Sequence, residues 1–478
     1  MAGDFLRSKG IDIDAEMAQI QNRGTQESFK TTFSMLIKNV VLPGSQTSTI
    51  SDLIINNEIL ERIGESGKTD GHHASIVDGR GALLAPSLCH PHVHIDKAYL
   101  LSHPKYAQLQ VEQGDFKEAM TLTGKAKAQF EHSDLIERGQ RVIDESVLAG
   151  VTHMRGFVEV DAGVQKKCLD AGIELQQRAK KDMSCHVQLC AFAQLPLFSA
   201  AQDDEDGAVI RGLMQAAAAN QNVDVIGSTP YVEDDRDKMQ RNVEWMIDLS
   251  IEHNLHLDFH LDYNLDRSTE PLVWHVLQCL KDKQWQRHTK DRTIVLGHCT
   301  RLVLFDDDEW HRLATMITES GLPIHFVGLP TSDLFMMRAG QKPEVRGTLH
   351  VPDLIKKHGL NACLGINNIG NAFTPQGTCD PLHLASQGVG IYQAGTKQDA
   401  ELLYECVSTR AKAAIGVTKS KRVDAQIRED DVADFVLFAG TDEAKNAWKT
   451  RQSLSESVYL YDSCQGRKSI FGGRLIRS

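Results

Sequence analysis

Near both ends of the chain, apolar residues fall in short blocks. Met35-Leu36-Ile37, Val40-Val41-Leu42, Leu53-Ile54-Ile55 and Ile59-Leu60 with Ile63 are brief enough for strands, and Gly79 to Leu84 supplies another. Residues 431–438, 457–460 and 470–474 repeat the pattern near the C-terminus. Between the ends the rhythm changes. Strand candidates at 83–88, 151–160, 186–192, 223–226, 255–261, 293–296, 323–327 and 362–364 alternate with helical stretches such as 134–149, 165–180, 236–253, 271–283 and 310–320. Alternating strand–helix units predict a parallel sheet, and eight of them predict a closed (β/α)8 TIM-like barrel whose site lies at the C-terminal ends of its strands. An open doubly wound sheet would want a Gly-rich phosphate turn after its first strand, and the sequence has none there.

The expected organisation is therefore a polar N-terminal extension over 1–30, a barrel over 86–410, and a small β-sandwich-like domain built from 31–85 and 411–478. Hydrophobic residues make up 41% of the 478, enough for a sizeable core. The net charge of −12 argues against a nucleic-acid groove or an anionic membrane surface. Ten cysteines are scattered without Cys-x-x-Cys spacing, which reads as reduced thiols. With no signal-peptide apolar region at the N-terminus and no apolar run of membrane-spanning length, the expectation is a cytoplasmic protein, with a homo-oligomer left open.

Candidate chemistry enters with Cys89-His90-Pro91-His92-Val93-His94-Ile95-Asp96-Lys97. Side chains of a strand alternate between faces, so His92 and His94 point the same way and can converge on one ion. His260, in Leu257-Asp258-Phe259-His260-Leu261-Asp262-Tyr263, and His298, in Leu296-Gly297-His298-Cys299, close two later strand candidates. All four would then meet at one rim. Imidazoles suit Zn²⁺ or Fe²⁺, and a catalytic ion needs about three protein ligands and one open position. His90 reads as either a rim group or a surface histidine.

The chain resembles the amidohydrolase superfamily, and within it the cytosine deaminase-like branch. The resemblance is carried by His92-Val93-His94-Ile95-Asp96-Lys97, Gly150-Val151-Thr152-His153-Met154-Arg155, Ala191-Phe192-Ala193-Gln194, Ile226-Gly227-Ser228-Thr229-Pro230, His260 and Gly297-His298. Leu329-Pro330-Thr331-Ser332-Asp333-Leu334, Arg346-Gly347-Thr348, Pro375-Gln376-Gly377-Thr378 and Asp431-Val432-Ala433-Asp434-Phe435 continue it. It implies one divalent ion, Zn²⁺ ahead of Fe²⁺, on His92, His94 and His260. His298 would then handle protons and substrate, and Gln194 would hydrogen-bond a heterocycle.

Two positions depart from the family pattern. His-x-Asp-Glu becomes His260-Leu261-Asp262-Tyr263, and the Asp after the eighth strand becomes Asn367, in Gly365-Ile366-Asn367-Asn368. A neutral amide cannot take a proton from water, and tyrosine, with a pKa near 10, is a poor shuttle. Strand two also changes, Arg-x-His-x-Asp becoming Arg155-Gly156-Phe157-Val158-Glu159, which points to a ligand other than cytosine. Catalytic candidates are His298, Tyr263 and Asp262, and substrate-binding candidates are Gln194, Arg155, Glu159, Asn367 and Asp333. For Asp262 and Asp333 a helix-capping role stands beside the catalytic one. Asp306-Asp307-Asp308-Glu309 reads as an acidic helix start and Met336-Met337 as loop core or pocket wall. The expected activity is metal-dependent hydrolysis of a C–N bond in a nitrogen heterocycle or cyclic amide. A lyase, cyclase or isomerase with the ion as Lewis acid, or an inactive small-molecule-binding homologue, are the alternatives.

Overall fold

The computed structural model describes residues 33–46, 49–68, 73–201, 203–339, 345–418, 422–439, 451–461 and 466–476; the expected extension at 1–30 and Cys464 lie outside them. Eight parallel strands form the central sheet in chain order: β5 (Leu88–His94), β6 (Val151–Glu159), β7 (His186–Ala193), β8 (Val225–Ser228), β9 (His256–Leu261), β10 (Ile294–His298), β11 (Ile324–Gly328) and β14 (Ala362–Leu364). A parallel bridge between Val93 and Asn367 closes the ring: Asn367 N donates to His92 O at 3.1 Å and His94 N to Asn367 O at 2.8 Å. The strands are buried along nearly their whole length, as helix-covered parallel strands must be. Their outward residues and the surrounding helices form one continuous core that includes Val93, Val158, Leu257 and Leu296.

The helices have readable ends. The helix His132–Ala149 stops at Gly150, whose φ of 103° is open to glycine, and Asp307–Ser320 starts on the capping box of Asp306 and Glu309, as the acidic run suggested.

A second sheet joins segments from near the two ends of the chain, in the order β17 (Arg474–Leu475), β16 (Arg467–Phe471), β15 (Phe435–Phe438), β4 (Ser75–Pro86), β1 (Ser34–Val41), β2 (Ser51–Asn56) and β3 (Ile59–Glu65), while β12 (Arg338–Ala339) and β13 (Val345–Arg346) pair by themselves. The second sheet's own apolar cluster contains Met35, Ile37, Leu53, Leu84, Phe435 and Leu437.

Two strand expectations change. The apolar run at 83–88 is not the first barrel strand: through Pro86 it belongs to β4, paired antiparallel with β15, and the barrel begins at Leu88. Only Ser87 separates the two, so periodicity merges them. Residues 457–460 do not form a strand either. They lie at the end of the helix Leu454–Tyr459, which starts where Ser453 accepts a hydrogen bond from Glu456 N, a Ser-x-x-Glu start signal that outweighs the strand-like Val458-Tyr459 pair.

Among the described residues nine cysteines are buried and unpaired. Among the described residues no helix is long and apolar enough to cross a membrane.

Candidate metal centre

His92 and His94 occupy the last residues of β5, and a register irregularity between His90 and Val93 decides which histidines face inward. A strict alternation would put His90 beside them. The bulge instead turns His90 outward, where its Nε2 lies 3.1 Å from both Ser146 Oγ and Cys379 O. His90 is thus neither a rim nor a surface group; burial lowers its pKa to about 4.

His260 enters from β9. One donor atom from each of His92, His94 and His260 lies within 4.8 Å of the others, and all three residues are buried. The ring centroids of His92 and His260 are 4.5 Å apart, and Phe157 and Phe192 pack against the group. The backbone of β10 leaves room for it: a Cβ on Gly297 would stand 3.3 Å from His92 Cε1.

The decisive property is what these rings lack. His92 Nδ1 and Nε2, His94 Nδ1 and His260 Nε2 are buried without a hydrogen-bond partner. An unsatisfied buried polar atom costs about 1–3 kcal/mol, and so many in one spot want a ligand that takes lone pairs. Burial first, and then neighbouring positive groups, hold all three imidazoles well below their usual pKa, hence neutral and able to donate to a cation. The donor set fits a divalent ion such as Zn²⁺. Asn367 stands between His92 and His94 in the backbone ladder, at φ 59°. Its Nδ2 donates to Ser332 Oγ at 2.9 Å, while Oδ1 is buried without a partner.

His298 completes this rim. Its Nδ1 lies 2.7 Å from Asp333 Oδ1, and Asp333 Oδ2 accepts from Thr348 Oγ1 at 2.7 Å. Tyr263 lies over the His298 ring at 4.0 Å, and burial pushes its phenol well above the usual range. Asp262, His298 and Asn367 all take left-handed backbone conformations at their strand ends. That costs on the order of 1–2 kcal/mol for a residue with a Cβ and is typical of functional rims.

A cavity of about 20 Å³ is lined by His94, His260, His298, Asn367 and Asn368 with Lys97, Gln194 and the aromatic rings of Phe116, Tyr231, Tyr263 and Phe373. Through Phe116, Tyr231 and Tyr263 it adjoins a larger hollow of about 660 Å³ that reaches Arg236 and Glu270. The inner cavity holds about one water, so a heterocycle must displace side chains to enter.

Other expected site residues lie elsewhere. Asp262 spends both oxygens on the amides of Leu272 and Val273, at 2.7 and 3.1 Å, beside the helix Val273–Asp282; it lines the outer hollow and not the cavity. Burial raises its pKa to about 6. Arg155 is fully buried and lines no cavity wall beside the imidazoles; it crosses the barrel interior to Asp258. Glu159 lies beside the cavity in an ionic network: Lys97 donates to its Oε1 at 2.7 Å, and Lys127 bonds Glu159 Oε2 and Asp161 Oδ2. Burial alone would raise Glu159, but Lys127 and Lys97 outweigh it and hold the carboxyl at about 2. Lys97 also donates to Gln194 Oε1 at 3.2 Å, and both residues line the cavity. The Met336-Met337 pair joins a loop cluster with Tyr263 and Phe373, and Met337 lines the outer hollow. Asp258, Asn368, Tyr231 and the two cavity phenylalanines were not foreseen. Of these only Asp258, two residues before His260 on one strand face, carried a readable signal.

No family model matches the chain, and no curated protein matches it by sequence. Solved structures do match. A 5-methylcytosine deaminase from Klebsiella pneumoniae liganded with 5-fluorocytosine superposes with a TM-score of 0.77 at 21% identity over 93% of this chain and 97% of its own. An N-isopropylammelide isopropylaminohydrolase from Burkholderia multivorans gives 0.72 at 17%, over 93% and 98%. This chain has their fold. The atrazine chlorohydrolase TrzN from Arthrobacter aurescens, complexed with zinc, shares it as well, with a TM-score of 0.64 at 16% over 92% and 94%.

Proposed function

We propose that this chain is a divalent-metal hydrolase of the amidohydrolase type that acts on a C–N bond of a small nitrogen heterocycle or cyclic amide. The observation that carries the reading is the cluster of partnerless nitrogens on His92, His94 and His260. The shared fold with a deaminase, an aminohydrolase and a zinc-complexed chlorohydrolase supports it. The three imidazoles would hold the ion, and Asn367 Oδ1, buried without a partner, would supply a neutral oxygen beside them. When bound, such an ion polarises a coordinated group and lowers the pKa of coordinated water toward about 7.

The residues around it divide the remaining work. Asp333 accepts the Nδ1 proton of His298, which leaves Nε2 as a lone pair that takes a proton on the cavity side and passes it to the leaving nitrogen. Tyr263 stays protonated and serves as a donor and as the wall behind His298. Lys97, Gln194 and Asn368 hydrogen-bond the substrate edge. No Asp or Glu lines the inner cavity among the described residues, so it selects a neutral or anionic ring bearing oxo or ring-nitrogen acceptors over a cationic amine.

Metal analysis of the purified protein, followed by ammonia release and product mass over a panel of aminated heterocycles and cyclic amides, tests this. Stoichiometric zinc or iron and a product heavier by one water, or an oxo product with ammonia released, are expected. A product of unchanged mass would establish isomerisation instead, and protein that binds no divalent ion would end the proposal.

A further inference from the structure

Directly beneath the three histidines lies a pair of charges that the proposed reaction does not use. Asp258 and His260 alternate on β9 so that both face into the barrel, Asp258 one layer deeper. Asp258 Oδ2 accepts from Arg155 Nη1 at 2.7 Å, Arg155 Nε donates to Gln188 Oε1 at 2.7 Å, and Gln188 Nε2 donates to Ile415 O at 2.9 Å. Both charged side chains have no exposure to solvent. Burying an ion pair costs more in desolvation than it returns unless its remaining valences are used. Here they are not all used. Asp258 Oδ1 has no hydrogen-bond partner, nor does His92 Nδ1, and the two atoms face each other at 3.8 Å.

We infer that Asp258 is the outer partner of His92: its Oδ1 accepts a hydrogen bond from Nδ1–H, so that Nε2 is the nitrogen turned to the ion, and Arg155 holds the other carboxyl oxygen from behind. This rests on the reading that the triad binds a metal. A metal-ligating histidine commonly gives its other N–H to a carboxylate, which fixes the tautomer and raises the basicity of the donor nitrogen. The arrangement has a particular use in this chain. With a neutral amide at Asn367 the site's donors are all neutral, and a hydrogen bond from His92 to Asp258 raises the donor strength of that ring.

Two measurements test it. Competition of the wild type against a chromophoric chelator gives the zinc affinity, and if the wild type binds no zinc, the metal reading itself has failed. Given binding, Asp258→Asn is expected to weaken zinc by about 10- to 100-fold, and Asp258→Glu to recover part of that loss. Nitrogen-15 NMR of the zinc-loaded wild type, with His92 assigned through a His92→Gln variant, is expected to show a protonated Nδ1 with a strongly deshielded proton. Because the tautomer is read on the native protein, poor folding of Asp258→Asn does not remove the test. Wild-type zinc affinity in Asp258→Asn, or a His92 ring protonated on Nε2, overturns the inference.

Discussion

Two buried polar clusters stand side by side at one end of the barrel and are built on opposite plans. Around Glu159, Lys97 and Lys127 occupy both oxygens of the carboxylate, Asp96 Oδ2 accepts the Glu159 amide at 2.7 Å, and Asp161 Oδ1 accepts the amides of Gly163 and Val164 at 2.9 Å each. Around His92 the reverse holds: four imidazole nitrogens and the Asn367 oxygen go without partners. Both clusters are buried, and both contain groups that burial penalises. The first meets the penalty with internal pairing at every carboxylate oxygen named here, Asp96 Oδ1 alone going without a partner, and is architecture that sets one wall of the cavity. The second leaves it unmet and is finished only by something the chain does not itself contain. Unsatisfied atoms therefore separate the two more sharply than the presence of charge does.

Substitution at each cluster puts that contrast at risk. The largest effect is expected for His94→Ala or His260→Ala, which should abolish stoichiometric metal. In zinc at about 1,000 times its dissociation constant the wild type gains about 4 kcal/mol of stability, and the variants should gain none, as zinc-dependent melting would show. Lys127→Met removes one partner of a buried charge network and should cost about 3–5 kcal/mol in denaturant unfolding while leaving metal content unchanged. A loss of metal there would mean that the two clusters are one unit. Next in size, His298→Gln and Asp333→Asn should each lower turnover by about 100-fold with metal retained, since one moves the proton and the other presents the ring that moves it.

Acid should separate the clusters as well. The folded-state pKa of Glu159 lies below its ordinary value of 4.5, so its contribution to stability is present above pH 4.5 and is lost as pH falls toward about 2. Glu159→Gln should flatten that part of an acid-unfolding curve. The smallest effect is expected for Tyr263→Phe, which keeps the ring over His298 and removes one hydroxyl: about 1 kcal/mol, a few-fold in turnover.

Much of this molecule was legible before its structure. Eight strand blocks and the intervening helical stretches gave the barrel, and His-x-His with two later strand-end histidines gave the rim, because side-chain direction in a strand follows from sequence parity alone. Parity failed at His90, where one bulge turned a ring outward, and at residues 83–88, where Ser87 alone divides two sheets. Arg155 was placed on the correct strand but at the wrong depth. Strand position does not say how far a long side chain reaches, and its partner Asp258 lies 103 residues away. For Asp262 the capping alternative is the one that holds: its oxygens take the two amides at the start of the following helix, and only the folded loop between them decides that over a role as base.

What the sequence determined by itself was local: the period of each element, the caps that end helices, and the residue types offered at strand ends. Tertiary structure alone decided which of those groups are left without partners, because satisfaction of a buried atom depends on what distant segments bring within about 3 Å of it. Ring closure set Asn367 between His92 and His94, and chain crossing set Arg155 against Asp258. Burial inside the barrel then made three ordinary imidazoles into neutral donors.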